Sequence, residues 1–137
     1  MHWVNDYIGL PWVAYARGPF EFDCWGLVLD VLSKQFRIDL PQYLTVKTDD
    51  PQGMTEAMLS GLQQNLAAPV KQPAHGAIAC CYIVVNGKEL LRHVGIYLDI
   101  DGGGILHSYE KHACAFDHPK KLNRLFHRIE YLCPRTL

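Results

Sequence analysis

The chain has 137 residues, 49% of them hydrophobic, with 13 Lys and Arg against 14 Asp and Glu for a formal net charge of -1. That length and composition fit one compact domain spanning 1–137, with enough apolar surface to fold without disulfide or metal staples. The charge balance leaves no electrostatic basis for binding nucleic acid or an anionic membrane surface, so a ligand has to be recognised by local groups.

The opening "MHWVNDYIGLPW" has neither the basic start nor the apolar core of an export signal. Nowhere does an apolar run reach the roughly 18 residues of a spanning helix, so synthesis in the cytoplasm without an integral membrane segment is expected. Residues 3 to 9 read as a short helix ending at Gly9, and Pro11, Gly18 and Pro19 make "PWVAYARGPFEF" an irregular loop. The clearest helix follows. Asp23 is placed to cap it, and Trp25, Leu27, Val28, Val31, Leu32 and Phe36 give the three-four spacing of a buried stripe that ends before Pro41. A second amphipathic helix is expected over 54–66, with Met54, Met58, Leu62 and Leu66 inward, after a mobile loop at 42–53.

Beyond "APVKQPAHG" the pattern changes to strands. "AIACCYIVV" and "ELLRHVGIYL" are apolar and β-branched, and the Asn-Gly of the intervening "NGK" suits a tight hairpin. "ILHSY" follows the loop "DIDGGG", and "FHRIEYL" completes the sheet after a Pro119-started turn or helix. Helices first and strands afterwards predict an α+β fold, with the helices packed on a small antiparallel meander.

Five cysteines, odd in number and without C-x-x-C spacing, point to a reducing compartment and away from a disulfide framework or zinc site. Cys24 is the one at a helix start, where unpaired backbone N–H groups and the helix dipole favour thiolate and can stabilise an oxyanion. A buried, inert thiol is the alternative, since free cysteine is among the most buried residue types. In "LRHVGIYL" alternation places Val94, Ile96 and Leu98 on one sheet face and His93, Gly95 and Tyr97 on the other. A register pairing Gly95 with His107 makes His93 and His107 diagonal neighbours, about 7 to 8 Å apart at the backbone; a shift by one residue turns His107 to the opposite face. The chemistry this allows is nucleophile, base and orienter: Cys24 attacks, His93 carries the proton, and His107 holds the His93 ring.

The segments "FDCWGLV", "HGAIACCY" and "HVGIYLDIDGGGILHS" resemble, in order, the signatures of the NlpC family, papain-like cysteine peptidases that cleave peptidoglycan stem peptides. The resemblance implies a papain-like helix-plus-sheet fold, a thioester intermediate, no metal or other cofactor, and a triad at Cys24, His93 and His107. The bond it implies is an amide within the stem peptide, between D-glutamate and diaminopimelate or a related diamino acid. "YIGLPW", "RGP" and Trp25 look most like the branch found in bacteriophage tail-assembly proteins, which implies tail proteins as partners and a place in the virion tail or delivery to the periplasm.

The chain departs from the family pattern at substrate-facing positions. Trp12 stands where a tyrosine hydroxyl usually lies near the thiol, with Tyr15 close enough in sequence to replace it. Trp25 replaces a serine that helps bind a free substrate amine, and Asp23 is retained either to pair with that amine or to cap the helix. Trp3, Trp12 and Trp25 either line a peptide groove or fill the core. His112, Cys114 and His118 are the only cluster with metal-ligand character, without a second cluster to complete a site. Two further readings stand beside a peptidase: a tail-assembly scaffold that keeps the fold without catalysis, and a secreted antibacterial effector using the same chemistry.

Overall fold

The computed structural model describes residues 2–43, 46–110 and 112–135. A 3-10 turn at Trp3–Asp6 opens the chain, shorter than the helix expected there. Helix α1 (Cys24–Phe36) begins where the sequence places it, because the Asp23 side chain accepts the Gly26 N–H and satisfies one of the orphan donors of the first turn. It ends at Arg37, which adopts the left-handed conformation. Helix α2 (Pro51–Gln63) starts three residues earlier than the apolar spacing suggests, since Asp50 caps Gly53 and Pro51, whose missing N–H costs nothing at N1, becomes its first residue. The expected loop over 42–53 therefore contains the start of a helix, and its positions 44 and 45 lie outside the described residues.

Strands β1 (Ala67–Val70), β2 (Ile78–Val85), β3 (Lys88–Leu98), β4 (Gly104–Ser108), β5 (Cys114–Asp117) and β6 (Arg128–Pro134) form one antiparallel sheet in the order β1-β6-β2-β3-β4-β5. Helix α3 (Pro119–Leu125) precedes β6. The α+β class is as expected, with β2 to β5 as the meander. The last strand does not extend that meander. It returns to pair with β2 on one side and β1 on the other. β1 and β5 escape sequence reading because each has only four residues, and β1 carries Pro69, which an edge strand tolerates.

The hairpin between β2 and β3 turns on Asn86 and Gly87, both at positive φ as a type I′ turn requires. One irregularity interrupts this pair: Cys81 faces His93 whereas Tyr82 faces Leu91, so Arg92 is an extra residue, a bulge. The bulge sends Leu91 and Val94 to the same face of the sheet, packed against Leu27, Val28, Val31, Leu32 and Met54 of the helices. On the other face a smaller cluster gathers Ala79, Cys81 and Ile105 under Leu122 and Phe126. Cys80 and Cys81 thus point to opposite faces, as alternation requires.

Candidate active site

Two segments meet at the first turn of α1. The loop before it is tied to the sheet by Ser108 Oγ, which donates to the Phe22 carbonyl at 3.0 Å, and to itself by Phe22 N–H donating to Pro11 O. Asp23 fixes the turn. Its carboxylate accepts from Gly26 N–H at 2.7 Å, Tyr15 N–H at 3.1 Å and Arg17 Nη1 at 2.8 Å, and it is 0% exposed. Gly26 is required here because a Cβ would run into Ala16 O. With Gly26 N–H held by the cap and Leu27 N–H by Asp23 O, the amides of Cys24 and Trp25 are left without an oxygen acceptor among the described residues.

Cys24 lies 2% exposed in the core, with its sulfur against the backbone amides of Val94 and Trp25. Burial dominates its titration and pushes the thiol up to about 12; the Val94 amide and Arg92 pull the other way, and Asp23 adds to the rise. The resting sulfur is a thiol. The helix start favours ionisation, as expected, but desolvation outweighs it.

The register between β3 and β4 pairs Gly95 with His107, the pairing on which the two-histidine reading depended. His93 and His107 are accordingly diagonal neighbours, with His93 Nε2 2.9 Å from His107 Nδ1. Gly95 makes the approach possible, since a Cβ there would sit 2.6 Å from Ile105 Cγ2 and 3.0 Å from His107 Cβ. Both imidazoles are buried, at 1% and 6% exposure. Phe126 stacks on the His93 ring at 5.7 Å and Tyr109 meets it edge-on at 4.7 Å. Burial, followed by the neighbouring His107 and Arg92, holds His93 well below the usual histidine value. His107 is also lowered by burial, against the opposing hydrogen bond it gives to Asp117. Cys24 and His93 make no hydrogen bond to one another; the sulfur rests at the residue that follows the imidazole.

Asp117 is the residue that sequence reading passed over. Its Oδ2 lies 2.8 Å from His107 Nε2, and its Oδ1 accepts from Lys121 Nζ at 3.2 Å. β5 pairs His107 with Ala115, which makes Asp117 the diagonal neighbour of His107, one strand beyond the same relation between His93 and His107. The signal was the alternation of "ACAFDH" once β5 is recognised as a strand.

The substrate-facing expectations divide. Asp23 caps and braces α1: its two oxygens accept three hydrogen bonds and the side chain is sealed in the fold. Tyr15, at positive φ, gives its backbone N–H to Asp23 while its side chain stays exposed, and its hydroxyl makes no hydrogen bond among the described residues. Trp12 is half-buried and bridged through its backbone to Phe22. Trp25 donates to Pro41 O at 2.9 Å and borders an apolar cavity of about 90 Å³ that also touches Tyr43, Met54, Met58, Leu62 and Val94. Of the three tryptophans, Trp25 lines a cavity and Trp3 packs on the core. His112 stacks on Tyr109, Cys114 turns into the core and His118 caps α3, so these three do not converge.

The thiol at the start of α1 thus lies against β3 at Val94, and the imidazole of the preceding residue, His93, is paired with that of His107 on β4. A search of curated proteins finds no match. Among solved structures, the NlpC/p60 domain of the peptidoglycan hydrolase SagA shares the fold, with a TM-score of 0.58 at 17% identity over 96% of this chain and 92% of that one. The NlpC/P60 family model matches residues 9–123, a span that holds the helix start, the bulged strand and both histidines, and the chain therefore belongs to the NlpC/P60 family.

Proposed function

We propose that this protein is a cysteine amidase of peptidoglycan stem peptides, working through Cys24, His93 and His107 as a component of a phage or prophage tail. One observation carries the chemistry: in a chain of this family, the thiol at the start of α1 abuts β3 at Val94, the residue after a histidine whose Nε2 is held 2.9 Å from a second histidine.

The two neutral partners set the order of events. His93 takes the thiol proton as sulfur bonds to the amide carbonyl carbon, instead of waiting in an ion pair with a preformed thiolate. The carbonyl oxygen receives the electron pair and is met by the Cys24 and Trp25 amides. Collapse expels the amine with the proton from His93 and leaves a thioester. Water, losing a proton to His93, attacks that thioester and releases the acid, and the returning sulfur recovers its proton. Substrate has to part the groups covering the sulfur and the imidazole, which are sealed at 2% and 1% exposure. With Asp23 already holding Gly26, Tyr15 and Arg17, the bond between D-glutamate and the diamino acid is recognised on this reading without a contact from a free N-terminal amine to Asp23.

The tail assignment is supported by "YIGLPW", "RGP" and Trp25. Tail function implies synthesis in the cytoplasm and delivery to the wall with the particle, which mass spectrometry of purified tails tests. The same burial favours a second reading, a scaffold that keeps the fold without turnover and offers apolar side chains such as the 77% exposed Phe20 to a partner. Digestion of defined muropeptides, with product masses, separates the two. Turnover that disappears in Cys24→Ala supports the amidase; equal turnover in that variant sinks it, and no turnover in either leaves the scaffold.

A further inference from the structure

The hydrogen-bonded line does not stop at the second histidine. It runs from His93 on β3 through His107 on β4 to Asp117 on β5, each step a diagonal neighbour in the register, at 2.9 and 2.8 Å. We propose that Asp117 is a positioning residue that fixes the tautomers of both imidazoles and so aims the lone pair of His93 Nδ1 as the base. This rests on the amidase reading for its use in catalysis, though not for its geometry.

The assignment follows from which atoms can donate. Asp117 opposes ionisation by its burial, but the hydrogen bonds from His107 and Lys121 outweigh that and hold its carboxyl below the usual carboxylate range. An ionised carboxylate only accepts, so His107 Nε2 carries the hydrogen. A neutral His107 with its proton on Nε2 has a bare Nδ1, which can only accept, so the hydrogen in the 2.9 Å contact belongs to His93 Nε2. A neutral His93 protonated at Nε2 is bare at Nδ1. That nitrogen makes no hydrogen bond among the described residues, and on the amidase reading it is the atom left to take the thiol proton.

The alternative tautomers are excluded one step at a time. A proton on His107 Nδ1 would face the His93 ring and leave Nε2 and the carboxylate as two acceptors 2.8 Å apart. Compensating with a proton on His93 Nδ1 would leave the ring without a basic nitrogen away from His107. A neutral His107 orients His93 with no charge in contact with it, while the single carboxylate lies farther out, 19% exposed and shared with Lys121. When His93 becomes an imidazolium, its Nε2–H donates more strongly into a ring already polarised by Asp117.

The test reads tautomers directly. Long-range nitrogen–proton NMR spectra of the protein with labelled histidine, recorded at neutral pH on the Cys24→Ala variant to exclude turnover, are expected to show His93 and His107 both protonated at Nε2. Asp117→Asn can present its NH₂ to His107 Nε2 and Asp117→Ala removes the acceptor. At least one is expected to shift His107, and with it His93, away from the Nε2–H form. In the Cys24 background the same changes are expected to lower kcat roughly 10- to 100-fold with KM nearly unchanged, and Asp117→Glu is expected to recover part of the loss. Unchanged tautomers in both variants overturn the proposal, as do tautomers in the parent other than those named. Asp117-dependent tautomers in a protein that hydrolyses no muropeptide uphold the positioning role and defeat only the amidase reading.

Discussion

Asp23 and Asp117 both hold polar groups close in space to the proposed chemistry, and their surroundings assign them opposite work. Asp23 receives a guanidinium and two backbone amides, all of them donors only, so it holds the loop and α1 in one place. Asp117 receives an imidazole, whose two nitrogens can exchange roles, so what it holds is the position of a proton. A carboxylate saturated by permanent donors braces a fold; one joined to tautomeric rings directs chemistry.

The sharpest way to break this contrast is to remove the base that the Asp117 line serves. His93→Ala is expected to lower muropeptide turnover by about 10³ or more, because neither thiol nor water then has a proton acceptor, while thermal unfolding remains cooperative. Turnover within tenfold of the parent would place the base elsewhere. On the bracing side, Asp23→Ala takes the ion-pair partner from Arg17, which keeps its bonds to the Ala16 and Gln42 carbonyls, leaves two amides without an acceptor, and is expected to cost about 3 kcal/mol of stability in urea unfolding. A cost under about 1 kcal/mol would mean that water repairs the site.

Crowding tests the line of diagonal neighbours at its closest packing. Gly95→Ala forces a methyl against Ile105 and His107, with an expected loss of about 1 to 3 kcal/mol and a larger fall in kcat than in stability.

Acid separates the two regions more gently. His93 and His107 are held below 6.5 in the folded state, so the unfolded chain binds protons first as pH falls. Stability from this source is flat above about pH 6.5 and declines below it. Asp117, lowered from 3.8, contributes stability that is present above that value and is lost only as pH falls through its folded one. Urea midpoints at about pH 8 and about pH 5 should therefore differ, and His93→Phe should reduce the difference. An unchanged difference would show that His93 is not the group held neutral.

The smallest effect concerns reactivity. Because Cys24 is buried with its thiol at about 12, a mild alkylating agent near neutral pH should label Cys133, the one cysteine that is not buried, before Cys24. Addition of a stem peptide should then raise labelling at Cys24 or protect it, read by peptide mass mapping. Rapid labelling of Cys24 in the resting protein would show that the site opens unaided.

Much of the site was legible because its signals are local or periodic. The Asp23 cap marks the start of α1, and period two in "RHVGIYL" puts His93 and Gly95 together. The register to His107 was conditional on a loop, and the sheet met that condition. Asp117 was not legible while "CAFD" went unrecognised as a strand: a four-residue edge segment carries too little alternation to stand out, and its role exists only through pairing with β4. The bulge at Arg92 was hidden for a related reason. Unbroken alternation in "ELLRHVG" would put Leu91 on the face of His93, and the extra residue sends it to the helices.

The protonation states were decided only by the assembled molecule. A cysteine at a helix start and a histidine on a strand look, in the chain, like a thiolate and its imidazolium. Packing removes water from both, and desolvation at such depth outweighs the helix start and the nearby arginine. Residue order determined which groups are brought together, since caps and strand periods act over a few positions. Their charge was set by three-dimensional surroundings, because the cost of burying an ion depends on every neighbour that displaces solvent, and those neighbours come from across the chain.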